Sequence, residues 1–306
     1  MEAHSASAAL LVRPAAFGFN SDAAESNVFA GKASGPDLQR QALVEFDRLA
    51  AALAGAGITV IVLEDTVDPP KPDAVFPNNW FTTHADGTMV LYPMATAPRR
   101  LERRAADVRQ LLRKSGLDVS RTVDLTEHEK DGHFLEGTGS LLLDRPRRRA
   151  FASLGPRTDR EVIAEFDERL GYSTFIFDAR DPDGRPIYHT NVLLSLGTDF
   201  AVLCREAVEP RHVDGLVEAL ETSGRTIVDL RFGQLCRFGC NLLELRDPRG
   251  DAVLAMSANA LANLDAGQVR ALETFGRILA VDIPTIEAVG GGSVRCMIAD
   301  VHLPRS

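Results

Sequence analysis

The sequence is poor in cysteine, in long apolar runs and in excess positive charge, and each shortage excludes a class of protein. Four cysteines in 306 residues are too few for a disulfide framework, so we expect a reducing compartment. The apolar run at residues 8–12 is too short for a signal sequence or a membrane span, which predicts a cytoplasmic protein. The net charge of −9 excludes a nucleic-acid-binding surface as the main function.

A bound metal or cofactor is not expected either. Cys236 and Cys240 are four residues apart, but no second pair of cysteines or histidines has a zinc-like spacing. The glycines at 290–292 are not followed by Lys-Ser/Thr, so they do not form a phosphate-binding loop. The basic run at 145–149 contains a proline, and it fits a solvated hairpin turn better than a binding patch.

What the sequence does contain is a pattern that recurs about every 55 residues. Two short apolar segments, a helix with one apolar face and another apolar segment follow one another in each repeat. The predicted strands lie at 81–83, 89–92 and 119–125; 140–143, 150–153 and 173–178; 192–196, 200–204 and 225–230; 241–245, 252–256 and 283–288; and 294–298, 10–12 and 58–63. The predicted helices lie at 98–114; at 158–170, with a capping box from Thr158 to Glu161; at 210–222; from Asp265, with Gln268 three residues on; and at 37–53.

The repeats predict a single closed domain over residues 1–306. The fifth unit has to be assembled from both ends of the chain. Repeats that cannot bury their own apolar faces stack or close into a ring, and joining the termini in one unit favours closure. We therefore predict an α/β fold, a five-fold pseudosymmetric α/β propeller of ββαβ units, rather than a doubly wound sheet, in which single strands alternate with helices.

A polar residue stands near the start of the first strand of each unit. These residues are Asn79, Glu136, His189, either Cys240 or Asn241, and Cys296, at intervals of 51 to 57 residues. Equivalent positions in a ring converge on its axis. Cys296 follows a glycine-rich bend that a ligand can approach closely, and its neighbour Arg295 favours the thiolate. A cysteine grouped with a histidine, a carboxylate and carboxamides has the parts of covalent catalysis at an electron-poor carbon.

Four motifs in the same order resemble those of the guanidine-modifying (pentein) enzymes: PDAVFPNN at 72–79, EGTG at 136–139, HTN at 189–191 and GGSVRC at 291–296. The chain looks most similar to the bacterial citrulline-utilisation hydrolases, which are related to arginine deiminases. The resemblance implies that Cys296 is the nucleophile, His189 the general acid/base and Glu136 the carboxylate that grips substrate nitrogens. It also makes Asp73 a candidate for the substrate amino group, with a turn as its alternative role. Arg13 and Asn20 are candidates for the substrate carboxylate.

Two departures from the arginine-directed pattern bear on the substrate. Arginine-directed members usually have aspartates where this chain has Asn79 and Asn191. Carboxylates suit a cationic guanidinium, whereas a neutral ureido group has a carbonyl oxygen that needs a donor, which asparagine supplies. The sequence therefore predicts a hydrolase that converts citrulline to ornithine, carbon dioxide and ammonia.

Two alternatives stay open at this point. One is a hydrolase of guanidino groups, of the arginine deiminase, arginine dihydrolase or dimethylargininase kind. The other is an amino-acid-binding protein without catalysis, against which the intact Cys296, His189 and Glu136 count. In either case the expected partner is a small amino acid, and a homodimer is the expected assembly.

Overall fold

The strands of the chain form five small sheets. The computed structural model describes residues 3–32, 35 and 37–305, and in this part of the chain fifteen strands form five three-stranded sheets. In chain order the strands are β1 Ala8–Arg13, β2 Thr59–Glu64, β3 Phe81–Thr83, β4 Thr88–Leu91, β5 Arg121–Asp124, β6 Leu142–Asp144, β7 Arg149–Leu154, β8 Ser173–Asp178, β9 Leu194–Leu196, β10 Phe200–Leu203, β11 Thr226–Asp229, β12 Leu243–Arg246, β13 Ala252–Ser257, β14 Arg277–Val281 and β15 Ala299–Val301.

Every sheet has the same internal order. The first strand pairs antiparallel with the second, as β3 does with β4, where Phe81 lies opposite Leu91. The second strand pairs parallel with the third, as β4 does with β5, where Thr88 lies opposite Arg121. A parallel pair needs a crossover connection, and in each unit a helix supplies it. Each unit is therefore the predicted ββαβ arrangement.

The ring closes through the two ends of the chain. Strand β15 pairs antiparallel with β1, and β1 pairs parallel with β2, so that Ala8 lies between Val301 and Thr59. The first strands of neighbouring sheets touch one another, β15 with β3 and β9 with both β6 and β12. These first strands therefore form the inner ring around the axis, and the predicted five-fold propeller is confirmed.

Helices and short turns connect the strands. The helices are α1 Ser21–Ala24, α2 Leu38–Gly55, α3 Ala97–Arg100, α4 Ala105–Lys114, α5 Gly137–Ser140, α6 Arg160–Leu170, α7 Pro210–Glu221, α8 Phe232–Leu235, α9 Ala258–Ala262, α10 Ala266–Glu273 and α11 Pro284–Gly290. The crossover helices bury an apolar stripe, such as Phe46 and Leu49 of α2 or Phe166 of α6. No helix among the described residues is both long and apolar enough to cross a membrane.

One predicted helix is interrupted. The apolar periodicity at 98–114 predicts a continuous helix, but the structure has α3 and α4 with a break at 101–104. The guanidinium of Arg99 is buried and donates to both carboxylate oxygens of Glu102, at 3.0 and 2.9 Å. Leu101, which the pattern assigns to the apolar face, is half exposed. The helix is therefore interrupted beside the buried Arg99–Glu102 pair, despite the local helical pattern.

The strand predicted at 283–288 is wrong, because the fourth unit ends with β14 and residues 284–290 form helix α11. Pro284 occupies the first turn, where a missing N–H costs nothing. The backbone N–H groups of Thr285 and Ile286, in the first turn of the helix, both donate to the carboxylate of Glu45 from α2, at 2.9 Å. A side chain from another unit thus stabilises the start of this helix.

Two smaller predictions also need correction. The cap of α6 is Asp159, which accepts from the backbone N–H of Glu161, and the capping box predicted from Thr158 is not formed; the box at Asp265 and Gln268 is present. The basic run at 145–149 does turn between β6 and β7, but it is not wholly solvated. Arg145 is buried and lies 3.2 Å from Asp300 of β15.

Candidate active site

Five connections meet at the axis, each just before an inner strand. They are the 3₁₀ turns Pro77–Asn79, Thr190–Val192 and Val294–Met297, helix α5 and the loop that contains Asn241. The turn at 77–79 touches both α5 and the turn at 294–297, and α5 also touches the turn at 190–192. The structure therefore brings together the axis residues that the repeat interval predicts.

The Cys296 thiol is buried between two carboxamides. The Nδ2 of Asn241 lies 3.4 Å from Sγ, and the Nδ2 of Asn191 lies 3.6 Å from it. The Oδ1 of Asn241 accepts from the backbone N–H of Arg295, which fixes the amide with its N–H groups toward the sulfur. The guanidinium of Arg295 donates to the carbonyl of Ile298 and lies 3.5 Å from Asp300. Two amide donors therefore face the sulfur.

The sequence left Cys240 and Asn241 open as the axis residue of the fourth unit, and the structure brings Asn241 to the site. Asn241 also donates to the carbonyl of Asn191, so it links two of the converging turns. Burial raises the pKa of the Cys240 thiol, which lies against the backbone of Cys204 in the apolar core. All four cysteines are free thiols.

His189 and Glu136 form a buried pair. The Nε2 of His189 lies 2.8 Å from an Oε2 of Glu136. Burial alone would raise the pKa of Glu136, but Arg157, His189 and Arg99 outweigh it and hold this pKa well below its usual range. Burial lowers the pKa of His189 to about 4 despite the neighbouring carboxylate. An ionised carboxylate only accepts, so Nε2 carries the proton and Nδ1 of the neutral ring offers a lone pair.

The side chain of Asn79 is oriented by a buried arginine. Its Oδ1 accepts from Nη1 of Arg99 at 2.8 Å, so the amide nitrogen must point away from the guanidinium. This Nδ2 is buried and has no hydrogen-bond partner among the described residues. A buried donor without an acceptor costs roughly 1–3 kcal/mol. This donor is therefore available to an acceptor oxygen of a ligand.

Gly139 allows these groups to approach one another. A Cβ at this position would lie 2.5 Å from Nδ2 of Asn79 and 2.7 Å from Nδ1 of His189. Real Cβ atoms do not come so close to such groups, so only glycine fits. Nδ2 of Asn79 and Nδ1 of His189 therefore both lie close to Gly139.

Asp73 and Asn20 form a buried hydrogen-bonded pair. The Nδ2 of Asn20 donates to Asp73 at 2.7 Å, and the Oδ1 of Asn20 accepts from the backbone N–H of Ala23, which starts α1. Burial raises the pKa of Asp73, although Arg99 at 3.9 Å opposes the shift. Asp73 lines the cavity described below, and Asn20 reaches the site through Asp73.

The structure does not bring Arg13 to this group. Arg13 ends β1 and forms two hydrogen bonds of 2.9 Å with the carboxylate of Asp47 in α2, at the partly exposed rim of the propeller. Its partner is therefore supplied by its own unit. The expectation that Arg13 binds a substrate carboxylate is not supported by this position.

Two arginines that the sequence did not single out lie at the site instead. Arg157 donates to Oε2 of Glu136 at 3.3 Å, to the carbonyl of Ala23 and to the hydroxyl of Ser26. Its guanidinium also lies over the ring of Tyr188, 4.9 Å from the centroid. Arg99 lies in the helix predicted at 98–114, outside its apolar face. No sequence signal separated either from a surface arginine.

The cavity that these groups enclose is small, about 20 Å³. Its walls include Asp73, Asn79, Arg99, Arg157, His189 and Cys296. Glu136 is fully buried against His189 and Arg157. No cluster of three or more histidine, cysteine or acidic residues suited to a metal ion occurs in the described part of the chain. The site has a thiol, a neutral imidazole and oriented amide donors, which is equipment for covalent attack on a carbon bearing an oxygen or nitrogen.

One family model matches the chain. The model described as N,N dimethylarginine dimethylhydrolase, eukaryotic, matches residues 13–303, which is nearly the whole chain. No curated protein sequence matches the chain.

Several solved structures share the fold. The N-terminal domain of ArgZ, an arginine dihydrolase from the ornithine-ammonia cycle in cyanobacteria, is 16% identical with a TM-score of 0.75, over 97% of this chain and 99% of that one. AgrE bound to L-arginine is 14% identical with a TM-score of 0.72, over 97% of this chain and 40% of that longer one. SxtG, an amidinotransferase of the saxitoxin pathway from Microseira wollei, is 14% identical with a TM-score of 0.72, over 100% and 97%.

Proposed function

We propose that this chain, which belongs to the N,N-dimethylarginine dimethylhydrolase family of the pentein superfamily, is a cysteine-dependent hydrolase of citrulline. The reaction would cleave the ureido C–N bonds and release ornithine, carbon dioxide and ammonia. The family acts on arginine-type substrates, which share their amino-acid part with citrulline. What the proposal adds is that the reacting group is a ureido group and not a guanidino group.

The free amide nitrogen of Asn79 is the observation that favours a ureido group over a guanidino group. Arg99 holds the Oδ1 of Asn79, so the side that is left for a ligand is a donor. A ureido oxygen can accept from this donor, whereas every in-plane group of a guanidinium is itself a donor.

In the first half of the reaction, Sγ of Cys296 attacks the ureido carbon. The amides of Asn191 and Asn241 donate to the thiolate, and Nδ1 of His189 accepts the thiol proton. Negative charge develops on the ureido oxygen and is stabilised by Nδ2 of Asn79. Asn191, which the sequence assigned to this oxygen, is engaged with the sulfur instead. The imidazolium of His189 then protonates the departing amine, and the C–N bond breaks.

In the second half, water attacks the carbon that is now bonded to Sγ. His189 takes a proton from the water, the C–S bond breaks and Cys296 is regenerated. The remaining C–N bond is lost as the carbamate releases carbon dioxide. Glu136 holds His189 through Nε2 and so keeps Nδ1 directed to the reacting atoms. We therefore assign Glu136 to positioning the base, in place of the grip on substrate nitrogens that the resemblance implied.

The carboxylate and the amino group of the substrate each bind a side chain of opposite charge. We assign the substrate carboxylate to Arg157 and the substrate amino group to Asp73, which both line the cavity. Arg157 is bound to the backbone of Ala23 and to Ser26, in the segment that follows Asn20. Arg99 is already held by Glu102 and Asn79 and serves to orient the latter.

The test is an assay of ornithine and ammonia release from citrulline and from arginine in parallel. We expect turnover of citrulline, with arginine inert, and loss of activity in Cys296→Ala. Arginine turnover with citrulline inert would overturn the proposal. The same assay performed on Cys296→Ser controls for contaminating activity.

A second candidate is arginine dihydrolase activity, which the likeness in fold to ArgZ favours. Such an enzyme has to process the ureido group after the guanidino group, so the Asn79 donor serves it as well. Ornithine formed from both substrates, with citrulline as a transient product of arginine, would select this candidate.

A further inference from the structure

A second cavity, of about 40 Å³, lies along the axis beyond Asn191 and Thr138. We call it the back cavity. Its walls come largely from the inner strands β6, β9, β12 and β15, whereas the walls of the substrate cavity come from helices and turns, among them those that contain Asn79, Arg99 and Cys296. Arg295 lines the back cavity, and its neighbour Cys296 lines the substrate cavity. The two cavities are thus on opposite sides of the nucleophile's turn.

The back cavity contains buried polar atoms that need a partner. The Oγ of Ser195 and the Oδ1 of Asn191 are both buried, and neither has a hydrogen-bond partner in the part of the chain that is described. Each would cost about 1–3 kcal/mol if left dry. Water needs roughly 10–15 Å³ and several polar partners, so the volume has room for two or three molecules. The charged walls formed by Arg145, Glu244 and Asp300 favour water further.

Asn191 connects this cavity to the reacting atoms. Its Nδ2 donates to Sγ of Cys296, so the unpartnered Oδ1 is on the other arm of the same amide. At the outer end, His4 and Leu243 are only half-buried, which gives solvent a way in. The substrate cavity has about half the volume of the back cavity.

We propose that the back cavity holds and replenishes the water that hydrolyses the covalent intermediate on Cys296. The inference rests on the proposed function. Water from this store moves past Asn191 to the carbon, a C–O bond forms, and the C–S bond breaks. One proton of the water goes to His189, and the thiolate leaves as the carbamate forms. The ligand of the back cavity is therefore a co-substrate of the second half-reaction.

Ser195→Val tests the proposal, because valine suits a strand and fills the cavity without adding charge. Slower hydrolysis leaves attack on citrulline intact, so kcat and KM should fall together by tenfold or more while kcat/KM is kept. The intermediate should accumulate on Cys296 and be detected by intact-protein mass spectrometry after acid quench. Ser195→Ala, which keeps the room, should retain most of kcat.

Ser153→Val is the matched control. Ser153 is also a buried strand serine whose Oγ has no partner among the described residues, but it is not a wall of the back cavity. It should not accumulate the intermediate. A folded Ser195→Val that keeps kcat, or that loses kcat/KM without an intermediate, would overturn the proposal. Should Ser195→Val fail to fold, Ser195→Thr is judged by the same criteria.

A crystal structure of the unmodified protein separates this proposal from the proposed function. Ordered water within hydrogen-bonding distance of Ser195 Oγ and Asn191 Oδ1 is expected whatever the substrate is. A dry back cavity at high resolution would overturn the water store even if citrulline is turned over. Ordered water in the back cavity of a protein that turns over neither citrulline nor arginine would contradict the proposed function but not the water store.

Discussion

At the residue scale, the choice between a ureido and a guanidino substrate depends on one amide. In Asn79→Asp one carboxylate oxygen can remain on Arg99, but the other presents a negative charge where the amide donor was. We expect kcat/KM for citrulline to fall by roughly 5- to 150-fold, the equivalent of about 1–3 kcal/mol. The ratio of arginine to citrulline turnover should rise.

The matched variant is Asn79→Ala, which removes the donor without adding charge. It should lower citrulline turnover without raising the relative turnover of arginine. Steady-state kinetics with both substrates measures the two ratios. An unchanged ratio in Asn79→Asp would contradict the role of this amide in selectivity.

The acid side of the pH profile reports His189. Its pKa is lowered to about 4 because burial disfavours the imidazolium more than Glu136 stabilises it. A lowered pKa leaves the ring neutral, and able to accept a proton, down to that pH. For citrulline, kcat/KM should therefore hold from pH 7 to about pH 5 and fall near pH 4, with activity recovered on return to neutral pH. An acid limb near pH 6.5 would contradict this prediction.

At the scale of elements, the start of α6 separates a sequence motif from the cap that forms. Asp159, and not Thr158, accepts from the N–H of Glu161. Asp159→Ala should therefore lower the free energy of unfolding by about 1 kcal/mol in a urea titration. Glu161→Ala, which would break a capping box, should change it by less than about 0.5 kcal/mol, since the side chain is exposed and forms no such box. Equal losses of unfolding free energy in the two variants would support the capping box from Thr158 to Glu161 instead.

At the scale of the whole molecule, ring closure places a carboxylate between cations from different units. Asp300 of β15 lies near Arg145 of the second unit, Arg295 and His302. Burial would raise the pKa of Asp300, but the hydrogen bond from His302 and the two guanidinium groups keep it well below its ordinary value. Asp300→Asn removes this carboxylate from two buried guanidinium groups and should cost about 3–5 kcal/mol in chemical unfolding.

Asp47→Asn is the exposed counterpart of that change. It also removes a carboxylate from an arginine, but Asp47 is more than half exposed and its pair with Arg13 lies at the rim. Exposed pairs contribute about 0–1 kcal/mol. A loss as large as that of Asp300→Asn would mean that burial does not decide how much these two carboxylates contribute to stability.

Much of the fold was predictable because its causes are local. The alternation of apolar residues, the turn glycines and the helical stripes depend on neighbouring residues, and they recur at one interval throughout the chain. The interval alone placed Asn79, Glu136, His189 and Cys296 near one axis. Predictions failed where a distant side chain decided the outcome, as Glu45 does at the start of α11 and the Arg99–Glu102 pair does at the break before α4.

The five repeats, the closure of the ring through the two termini, and a thiol, a histidine and a carboxylate at one recurring interval were predictable from the residues alone. The resemblance to the pentein enzymes added that two asparagines stand where aspartates are usual. Which arginines lie at the site depends on the folded molecule, since Arg13 and Arg157 look alike in sequence and differ in what the other units bring to them. The tertiary structure also decided that Asn191 faces the sulfur, that Asn79 keeps a free donor, and that a second cavity lies behind both. The reason is physical: periodicity records which face of an element is buried, whereas hydrogen-bond partners and cavities arise only when units from distant parts of the chain meet.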